Sequence, residues 1–510
     1  MRGPLAEATA PAGRAESDLL APMDRRVLVV AGAAFAVLMA LSGLYGFHRD
    51  ELYFLDAARH LQGGYVDQPI LVPLLARASL QMFGVSLSGL RLWAALAAGG
   101  TVAAAGMIAR EFGGGSWAQR LTAVGVATSP VLLGADHIFG PTALDILAWT
   151  ALAWAVVRLG RTGDPRLWLV IGIVLGLGEE NKHSILFFAA ALIAGTLLSG
   201  GWRVFATRWL ALGVAATLLL ATPDIWWQAT HSWATIAMTQ SLNAENGGPG
   251  NVPIFIVTQI GMTLVVLIWV WVAGLVWLWR RGTPLWRALA WAYGLLFAFF
   301  ALTAGAKAYY IAGAYPYLMA AGAAAVEGRL AGRLWSWPVV VGAAVNVAVE
   351  MPLALPVLPP QDTGFVATLN TTSAETIGWP ELVRSVASVW DRLPASQRAD
   401  AVIFTTNYGE AGAVNELGGP LGLPGAVSGH NTEWWWGPGN PHATTVVVVA
   451  AGDIGDYATS LQRLFGRVRR VATITNADGI RNQEDGGHLY ICSDPVRSWG
   501  QMWPELRHYD

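Results

Sequence analysis

The sequence has almost no cysteine and very little charge. Its single cysteine, Cys492, excludes a disulfide framework and a metal site built from cysteines. Charged residues make up 13% of the chain, against about 25% in a typical soluble domain. The net charge is −2 and no basic stripe is present, so binding to nucleic acid is not expected. The sequence also lacks a GxGxxG or Walker motif, and no nucleotide site is predicted.

Hydrophobic residues dominate the composition instead. They form 54% of the chain and the mean hydropathy is +0.45, which predicts an α-helical polytopic membrane protein. Crossing a bilayer takes about 17–25 apolar residues. Such stretches predict about eleven spans, with thirteen as the upper bound, near residues 27–46, 88–109, 120–135, 141–158, 166–180, 183–200, 208–223, 252–279, 285–305, 309–326 and 334–351. Between the first two spans, residues 70–83 resemble a helix that lies in the membrane interface.

Arginines occupy alternate connections between these spans. The arginine-rich set includes Arg25, Arg110, Arg158, Arg203, Arg280 and Arg329. By the positive-inside rule these connections are cytoplasmic, which places the N-terminus inside and the chain after about Met351 outside. The predicted organisation is a disordered cytoplasmic tail at 1–24, a membrane domain at 25–351 with its first outer loop at 47–87, and an extracytoplasmic soluble domain at 352–510.

The last 150 or so residues have a different pattern. Short apolar runs, punctuated by glycine, proline and polar residues, predict strands at Ala401–Phe404, Thr444–Ala450, Val468–Thr475 and His488–Cys492. Helical patterns lie between them, at Gly409–Leu417 and Asp456–Phe465. Strands that alternate with helices indicate a small α/β domain.

Acids, histidines, lysines and tyrosines collect in the predicted outer connections, whereas the inner ones offer mainly arginines. The candidate site residues are Asp50, Glu51, Tyr53, Asp67, Gln68, His137, Asp145, Lys182, His183, Asp224, Lys307, Tyr309, Tyr310 and Tyr315. Ionisable groups near a membrane span usually mark a function. This one-sided distribution is the main indication that the outer face carries the chemistry.

Structural explanations compete for several of these residues. Asp50 and Glu51 suit a solvated helix start, since acids favour the first turn, but adjacent carboxylates also suit a general base beside a group that orients an acceptor or a metal. Asp67 and Gln68, which precede a proline, suit a simple turn equally well. A lone histidine is more often an interface residue than a ligand. Asp145 is different, because a carboxylate inside an apolar span needs a partner or an aqueous cavity.

Lysine is the rarest charged residue. Only Lys182 and Lys307 are present among 32 basic residues, and both fall at predicted outer ends of spans. Long cations snorkel at any span end, but arginine would serve equally well there. A compact ammonium suits a phosphate as a point charge. Two lysines beside Tyr309 and Tyr310 therefore predict a cradle for a lipid phosphate.

These motifs resemble a known family. Asp50-Glu51, Asp67-Gln-Pro, Asn181-Lys-His and Lys307-x-Tyr-Tyr with Tyr315-Pro are similar to the bacterial branch of the dolichyl-phosphate-mannose–protein mannosyltransferase-like group. These are GT-C fold glycosyltransferases related to lipid A aminoarabinose transferases. The resemblance covers roughly residues 45–350. It implies a bacterial cytoplasmic-membrane enzyme that uses a sugar on a polyprenyl phosphate and inverts the anomeric centre.

The resemblance also implies roles for individual residues. Asp50 would be the general base, and Glu51 would position the acceptor or help to hold a cation. Lys182, Lys307 and Tyr310 would bind the donor phosphate and stabilise it as a leaving group. His183, Gln68 and His137 depart from the family pattern, which puts the identity of the donor in doubt more than the reaction class.

The expected function is transfer of a hexosyl or pentosyl group to an extracytoplasmic protein, lipid or cell-wall glycan. A transporter or flippase for a lipid-linked or anionic solute is the main alternative, although it predicts charges along a path through the membrane and paired repeats, neither of which the sequence shows. A non-catalytic scaffold would explain the C-terminal domain but not the outer acids. The sequence predicts no definite cofactor; a divalent cation stays open, with Glu51 and His137 as candidate ligands.

Overall fold

A computed structural model describes residues 20–245, 252–263, 267–303, 305–331, 337–451 and 457–509. Residues 1–19, which make up most of the predicted tail, lie outside these ranges. The part of the chain before residue 355 is helical. Its helices are α1 (Arg25–Leu41), α2 (Arg49–Arg59), α3 (Leu71–Phe83), α4 (Leu87–Glu111), α5 (Ser116–Ala127), α6 (Pro130–Asp136), α7 (Pro141–Thr162), α8 (Leu167–Glu179), α9 (Ser184–Leu198), α10 (Arg208–Leu220), α11 (Thr222–Thr230), α12 (Ala234–Glu245), α13 (Val252–Thr263), α14 (Ile268–Arg281), α15 (Pro284–Leu302), α16 (Tyr315–Leu330) and α17 (Trp337–Ala354).

Three of these helices, α4, α7 and α15, are each long and apolar enough to cross a membrane. Helices α10 and α11 pass the same test as a bent pair, which raises the number to four among the described residues. The predicted spans at 166–180 and 183–200 appear as α8, with 13 residues, and α9, with 15 residues. Both are shorter than the roughly 17 residues that a straight crossing needs. The mostly helical architecture is confirmed, and the count of eleven spans stays a prediction.

Two predicted spans are broken rather than continuous. The span at 120–135 divides into α5 and α6, and α6 begins at Pro130. The span at 208–223 ends early, because the chain bends by 52° between α10 and α11 and restarts just before Pro223. Proline lacks an N–H and its ring clashes with the preceding turn, so a helix readily begins at proline but does not continue through it. The second break places Asp224 in the first turn of a separate helix.

Close helix packing in the membrane domain depends on small residues. Gly274 of α14 and Gly322 of α16 face each other so closely that a Cβ on Gly274 would overlap the carbonyl of Leu318, and one on Gly322 would overlap that of Val270. Small residues allow helix backbones to approach in a bilayer, where no hydrophobic force draws helices together. The α14–α16 pair supports the segment that carries Lys307 and the tyrosines, because α16 directly follows that segment.

The first outer loop is two helices joined by a turn. Helix α2 begins with a capping box, in which the His48 side chain accepts from the Asp50 N–H and the Glu51 carboxylate accepts from the His48 N–H at 2.8 Å. Helix α3 confirms the predicted helix at 70–83. The turn between α2 and α3 carries Asp67 and Gln68.

The C-terminal domain is built on a five-stranded mixed sheet. Its strands are β1 (Ala401–Thr405), β2 (Ala426–Ser428), β3 (Thr445–Ala450), β4 (Phe465–Thr473) and β5 (His488–Pro495). The strand order is β2-β1-β3-β5-β4, with β1 parallel to β2 and β3, and β5 antiparallel to β3 and β4. The domain's helices are α18 (Gly364–Leu369), α19 (Thr371–Ala374), α20 (Trp379–Asp391), α21 (Ala395–Arg398), α22 (Tyr408–Leu417), α23 (Glu433–Trp436), α24 (Tyr457–Gln462) and α25 (Trp499–Met502). The predicted α/β character and four predicted strands are confirmed, while β2 was not predicted.

Helix α2 of the first outer loop docks on α22 of the C-terminal domain. Leu52 is fully buried in an apolar cluster that also contains Val386 of α20 and Ile403 of β1. A Cβ on Gly412 of α22 would lie 2.7 Å from the Leu52 carbonyl, so only glycine fits at this crossing. The two helices are therefore packed backbone to backbone.

Polar contacts reinforce this docking. The Arg59 guanidinium donates to both carboxylate oxygens of Glu416, at 2.5 and 2.7 Å. The Asn415 amide donates to the Asp56 carboxylate at 2.5 Å. Paired donors of this kind fix orientation as well as contact. The first outer loop is thus held between the membrane helices and the C-terminal domain.

Candidate active site

Asp50 lies in the first turn of α2 with its side chain 40% exposed. The Tyr408 hydroxyl, from the first turn of α22, donates to its Oδ1 at 2.9 Å. The His48 ring and the Arg49 guanidinium each approach the carboxylate to 3.8 Å. One carboxylate is therefore both accessible and fixed, by groups from the outer loop and from the C-terminal domain.

The surroundings of Asp50 keep it ionised. Desolvation by itself would raise the pKa of Asp50, but the adjacent His48 ring, the charge of Arg49, the Tyr408 hydrogen bond and the charge of Lys307 together outweigh it. The net result is a pKa below the ordinary value of an aspartate. Asp50 is therefore a carboxylate at neutral pH, the form that can accept a proton.

Asp67 faces the same region but titrates differently. Its Oδ1 accepts from the Tyr53 hydroxyl at 2.6 Å and from the Thr432 hydroxyl at 3.3 Å. Desolvation raises the pKa of Asp67 to about 6, and the negative charge of Asp50 adds to this, although the hydrogen bonds oppose it. Two neighbouring carboxylates thus have pKa values displaced in opposite directions, an arrangement that often separates acid and base roles.

Glu51 is fully buried and all of its lone pairs are used. Arg91 of α4 donates to both carboxylate oxygens at 2.9 Å, and the N–H groups of His48 and Phe139 each donate at 2.8 Å. A carboxylate with four donors has no oxygen left for an acceptor or a cation. This geometry departs from the roles expected for Glu51 and instead makes it the residue that locks α2 onto α4.

Lys182 lies beside the two tyrosines, as the predicted phosphate cradle requires. The Lys182 ammonium lies 5.4 Å from the ring centroids of both Tyr309 and Tyr310. Asp145 and Lys307 both act on Lys182 electrostatically, and Lys307 also acts on Asp50. The Ser184 hydroxyl donates to Asp145 at 2.7 Å. The cation–tyrosine cluster therefore lies near enough to Lys307 and Asp50 for their charges to interact.

The remaining predicted residues are distributed around this centre. His137 is buried, and burial lowers its pKa to about 3, so its ring is neutral. Gln68 is buried in the turn after Asp67. His183 Nε2 and Asp224 Oδ2 approach each other to 3.8 Å. Tyr315 lies deeper, fully buried against Gln259, to which it donates a hydrogen bond.

The sequence did not reveal the contribution of the C-terminal domain. Tyr408 and Thr432 reach the two outer-loop aspartates, and Glu375 accepts from the His48 ring at 3.0 Å. The run from Asn407 to Glu410 forms a capping box, which a sequence pattern can indicate as a helix start. A capping-box pattern does not indicate that the Tyr408 side chain would reach Asp50 of α2.

Comparisons with known proteins bear on the family and the fold. Residues 67–227 match the family model described as dolichyl-phosphate-mannose–protein mannosyltransferase. The lipid A galacturonosyltransferase RgtD of Rhizobium johnstonii is 26% identical over 229 residues, which are 44% of this chain and 47% of that enzyme. The crystal structure of ArnT from Cupriavidus metallidurans bound to undecaprenyl phosphate superposes with a TM-score of 0.63, at 14% identity, over 91% of this chain and 97% of that one.

The resemblance read from the motifs is confirmed. The chain superposes on ArnT, which has the GT-C fold, and it is similar over 229 residues to a lipid A galacturonosyltransferase. A mycobacterial arabinofuranosyltransferase, AftD, has a TM-score of 0.50 over 94% of this chain but only 41% of its own. The chain spans about half the length of RgtD. The segment that matches the family model includes Asp67, Lys182 and Asp224 but not Asp50 or Lys307. The superposition on ArnT covers 91% of the chain and so extends well beyond that segment.

Proposed function

We propose that this GT-C protein transfers a sugar from a polyprenyl-phosphate donor to an extracytoplasmic acceptor, with inversion at the anomeric carbon. One observation carries the proposal: the partly exposed, ionised carboxylate of Asp50 lies within electrostatic range of Lys307 and Tyr309, beside the cluster of Lys182 with the two tyrosines. A base opposite an anion-binding cluster suits a hydroxyl attack on a sugar whose leaving group is a phosphate. The GT-C relatives support the same reaction class.

The cation–tyrosine cluster is the proposed donor site. Lys182 and Lys307 would hold the phosphate, with Tyr309 and Tyr310 beside it. An apolar crevice of about 390 Å³ opens between α8, α9 and α10. Lys182 lies in the short connection between α8 and α9. That crevice suits the isoprenoid tail. ArnT, with a related fold, was solved with undecaprenyl phosphate bound, which favours the same lipid class here.

The chemical step follows from these positions. The acceptor hydroxyl oxygen forms a bond to the anomeric carbon while its proton passes to Asp50. The bond between that carbon and the phosphate oxygen breaks, and the polyprenyl phosphate leaves with its electron pair. The departing phosphate gains a second negative charge as the bond breaks, so the two lysines stabilise it more strongly than the singly charged phosphodiester of the donor, and this difference lowers the barrier.

The other residues position these groups in the proposal. Glu51 holds α2 through Arg91, so that Asp50 points towards the donor. Tyr53, Asp67 and Tyr408 shape the side from which the acceptor arrives. The protein sits in a bacterial cytoplasmic membrane with its C-terminal domain outside. Because RgtD acts on lipid A, a lipid A-like glycolipid is the first acceptor to test.

The test is sugar transfer by the purified full-length protein in nanodiscs, with synthetic polyprenyl-phosphate sugars and envelope lipids as substrates. Mass spectrometry of envelope glycans and lipids, with and without the gene, identifies the sugar and the acceptor. Asp50→Asn should abolish transfer while the protein remains folded. Asp391→Asn is the matched control, since Asp391 is an exposed aspartate of the C-terminal domain.

Near-normal sugar transfer by Asp50→Asn would show that Asp50 is not the base. Unchanged donor affinity in Lys307→Met would show that Lys307 does not bind the donor phosphate. Movement of a labelled lipid or solute across liposomes, without any glycosidic product, would replace the proposal by the transporter alternative.

A further inference from the structure

A second cluster of potential ligands lies beside Lys182. It combines Glu179 at the end of α8, His183 at the start of α9 and Asp224 in the first turn of α11. One ligand atom from each residue lies within 4.8 Å of the other two. These three residues come from three different segments, and sequence spacing alone could not bring Asp224 to the other two.

The His183 ring lies between the two carboxylates. Its Nδ1 lies 3.0 Å from Glu179 Oε1, and its Nε2 lies 3.8 Å from Asp224 Oδ2. Histidine binds a metal through one neutral ring nitrogen, so an ion in this cluster would take the place of one of these two contacts.

The carboxylates of this cluster are buried and incompletely satisfied. Glu179, Glu180 and Asp224 are each at most 6% exposed, and the Oε2 atoms of both glutamates have no hydrogen-bond partner. Glu180 Oε1 accepts from the Asp224 N–H at 3.3 Å, so its carboxylate adjoins the cluster. Among the described residues, none of the three is ion-paired with a lysine or an arginine. Three buried carboxylates thus share one imidazole, a donor set whose negative charge a bound cation would compensate.

We propose that Glu179, His183 and Asp224, with Glu180 adjoining, bind one divalent transition-metal ion of the Zn²⁺ class. A mixed set of one imidazole and several carboxylates suits Zn²⁺ or Mn²⁺ better than Ca²⁺ or Mg²⁺, which prefer oxygen alone. This site is separate from Glu51 and His137, the ligands expected from the sequence. It stands independently of the proposed glycosyl transfer.

The ion would tie several outer segments together. It would join the ends of α8, α9 and α11, and through Glu180, whose carbonyl accepts from the Leu71 N–H at 2.8 Å, it would anchor the start of α3. Lys182 lies between Glu180 and His183 in the chain. The metal would therefore fix the turn that presents this lysine.

The test measures metal directly. Untagged full-length protein in nanodiscs is stripped with a chelator, titrated with Zn²⁺ or Mn²⁺, and assayed by elemental analysis and thermal unfolding. We expect about one ion per chain and a higher unfolding temperature on binding. Glu179→Gln, His183→Gln and Asp224→Asn should weaken affinity by about 10- to 100-fold or more. His442→Gln and Asp391→Asn, both at exposed positions, are the matched controls and should keep it.

No binding of either metal by the wild type, or equal binding by wild type and all three variants, would overturn the proposal. If a variant does not fold, X-ray absorption at the metal edge of the wild type decides. One nitrogen and otherwise oxygen ligands support the site, and a shell without an imidazole nitrogen overturns it.

Discussion

At the residue scale, Asp50 and Glu51 are adjacent in the sequence but differ in burial and in their partners. Asp50 is accessible, whereas Glu51 is buried and paired with Arg91 of α4. Removing one member of a buried ion pair leaves the other charge uncompensated, which lowers the free energy of unfolding by about 3–5 kcal/mol. Glu51→Gln should therefore lower the unfolding temperature markedly, while Asp50→Asn lowers activity with little change in stability. Thermal unfolding of both variants in nanodiscs measures the contrast; equal stability would contradict it.

Asp67 gives a second prediction, on the pH dependence of stability. Its pKa is raised to about 6 in the folded protein, chiefly by desolvation, so its ionisation destabilises the folded state. The stability associated with protonated Asp67 is present at low pH and is lost as pH rises through about 6. Asp67→Asn should be more stable than the wild type at pH 7.5, and the difference should narrow as pH falls towards 5.

Thermal unfolding across this pH range, with Asp391→Asn as the control, checks the Asp67 prediction. A difference that stays constant with pH would show that Asp67 does not titrate in this window.

At the scale of elements, Tyr408 connects α22 to the proposed base. Its hydroxyl is one of the groups that lower the pKa of Asp50. Tyr408→Phe removes this hydrogen bond but keeps the ring, so the acid limb of kcat/KM should move to higher pH. The pH–rate profile of sugar transfer measures the shift. Tyr457→Phe, on α24, is the control and should leave the profile unchanged.

The crossing of α2 and α22 can be tested at Gly412. An added Cβ would press on the Leu52 carbonyl at 2.7 Å, and forced overpacking costs about 1–3 kcal/mol. Gly412→Ala should lower both the unfolding temperature and the transfer rate. Gly419→Ala is the matched control, because a Cβ there has no neighbour within 4 Å. Equal behaviour of the two variants would show that the helices separate readily.

Elements were predictable from sequence where the pattern is local. The helix over Leu71–Phe83 and four of the five strands follow from apolar periodicity, and the cluster of Lys182 with Tyr309 and Tyr310 followed from their shared side of the membrane. The break before Pro223 was missed because a continuous apolar run predicts a span but does not show where the helix bends. The strand Ala426–Ser428 was missed because three residues are too few to show an alternation of apolar and polar side chains.

The partners of the site residues were not predictable, since they depend on tertiary contacts. Arg91 reaches Glu51 across 40 residues, and Tyr408 reaches Asp50 across 358. No spacing rule relates positions so far apart. The capping box of α2 was missed for another reason: its cap is a histidine, outside the usual set of serine, threonine, aspartate and asparagine.

At the scale of the whole molecule, the orientation in the membrane is testable with the existing chain. Its single cysteine, Cys492, is buried, so the native thiol gives little background labelling. Ser460→Cys on the C-terminal domain and Asp164→Cys between α7 and α8 are both exposed positions. In intact cells a membrane-impermeant maleimide should label Ser460→Cys alone, and Asp164→Cys only after permeabilisation. The reverse pattern would overturn the orientation that the arginines predict.

The docking of α2 on α22 also has a consequence for biosynthesis. Asp50 leaves the ribosome 358 residues before Tyr408. At about 5–20 residues per second, the first outer loop waits roughly 20–70 seconds for its partner helix. During that interval Leu52 has no C-terminal domain to cover it, and Asp50 lacks the tyrosine that holds it. The contacts of Asp50 and Leu52 with α22 therefore form only when the last part of the chain has been synthesised and has folded, so we expect a nascent or truncated protein to be inserted in the membrane but inactive.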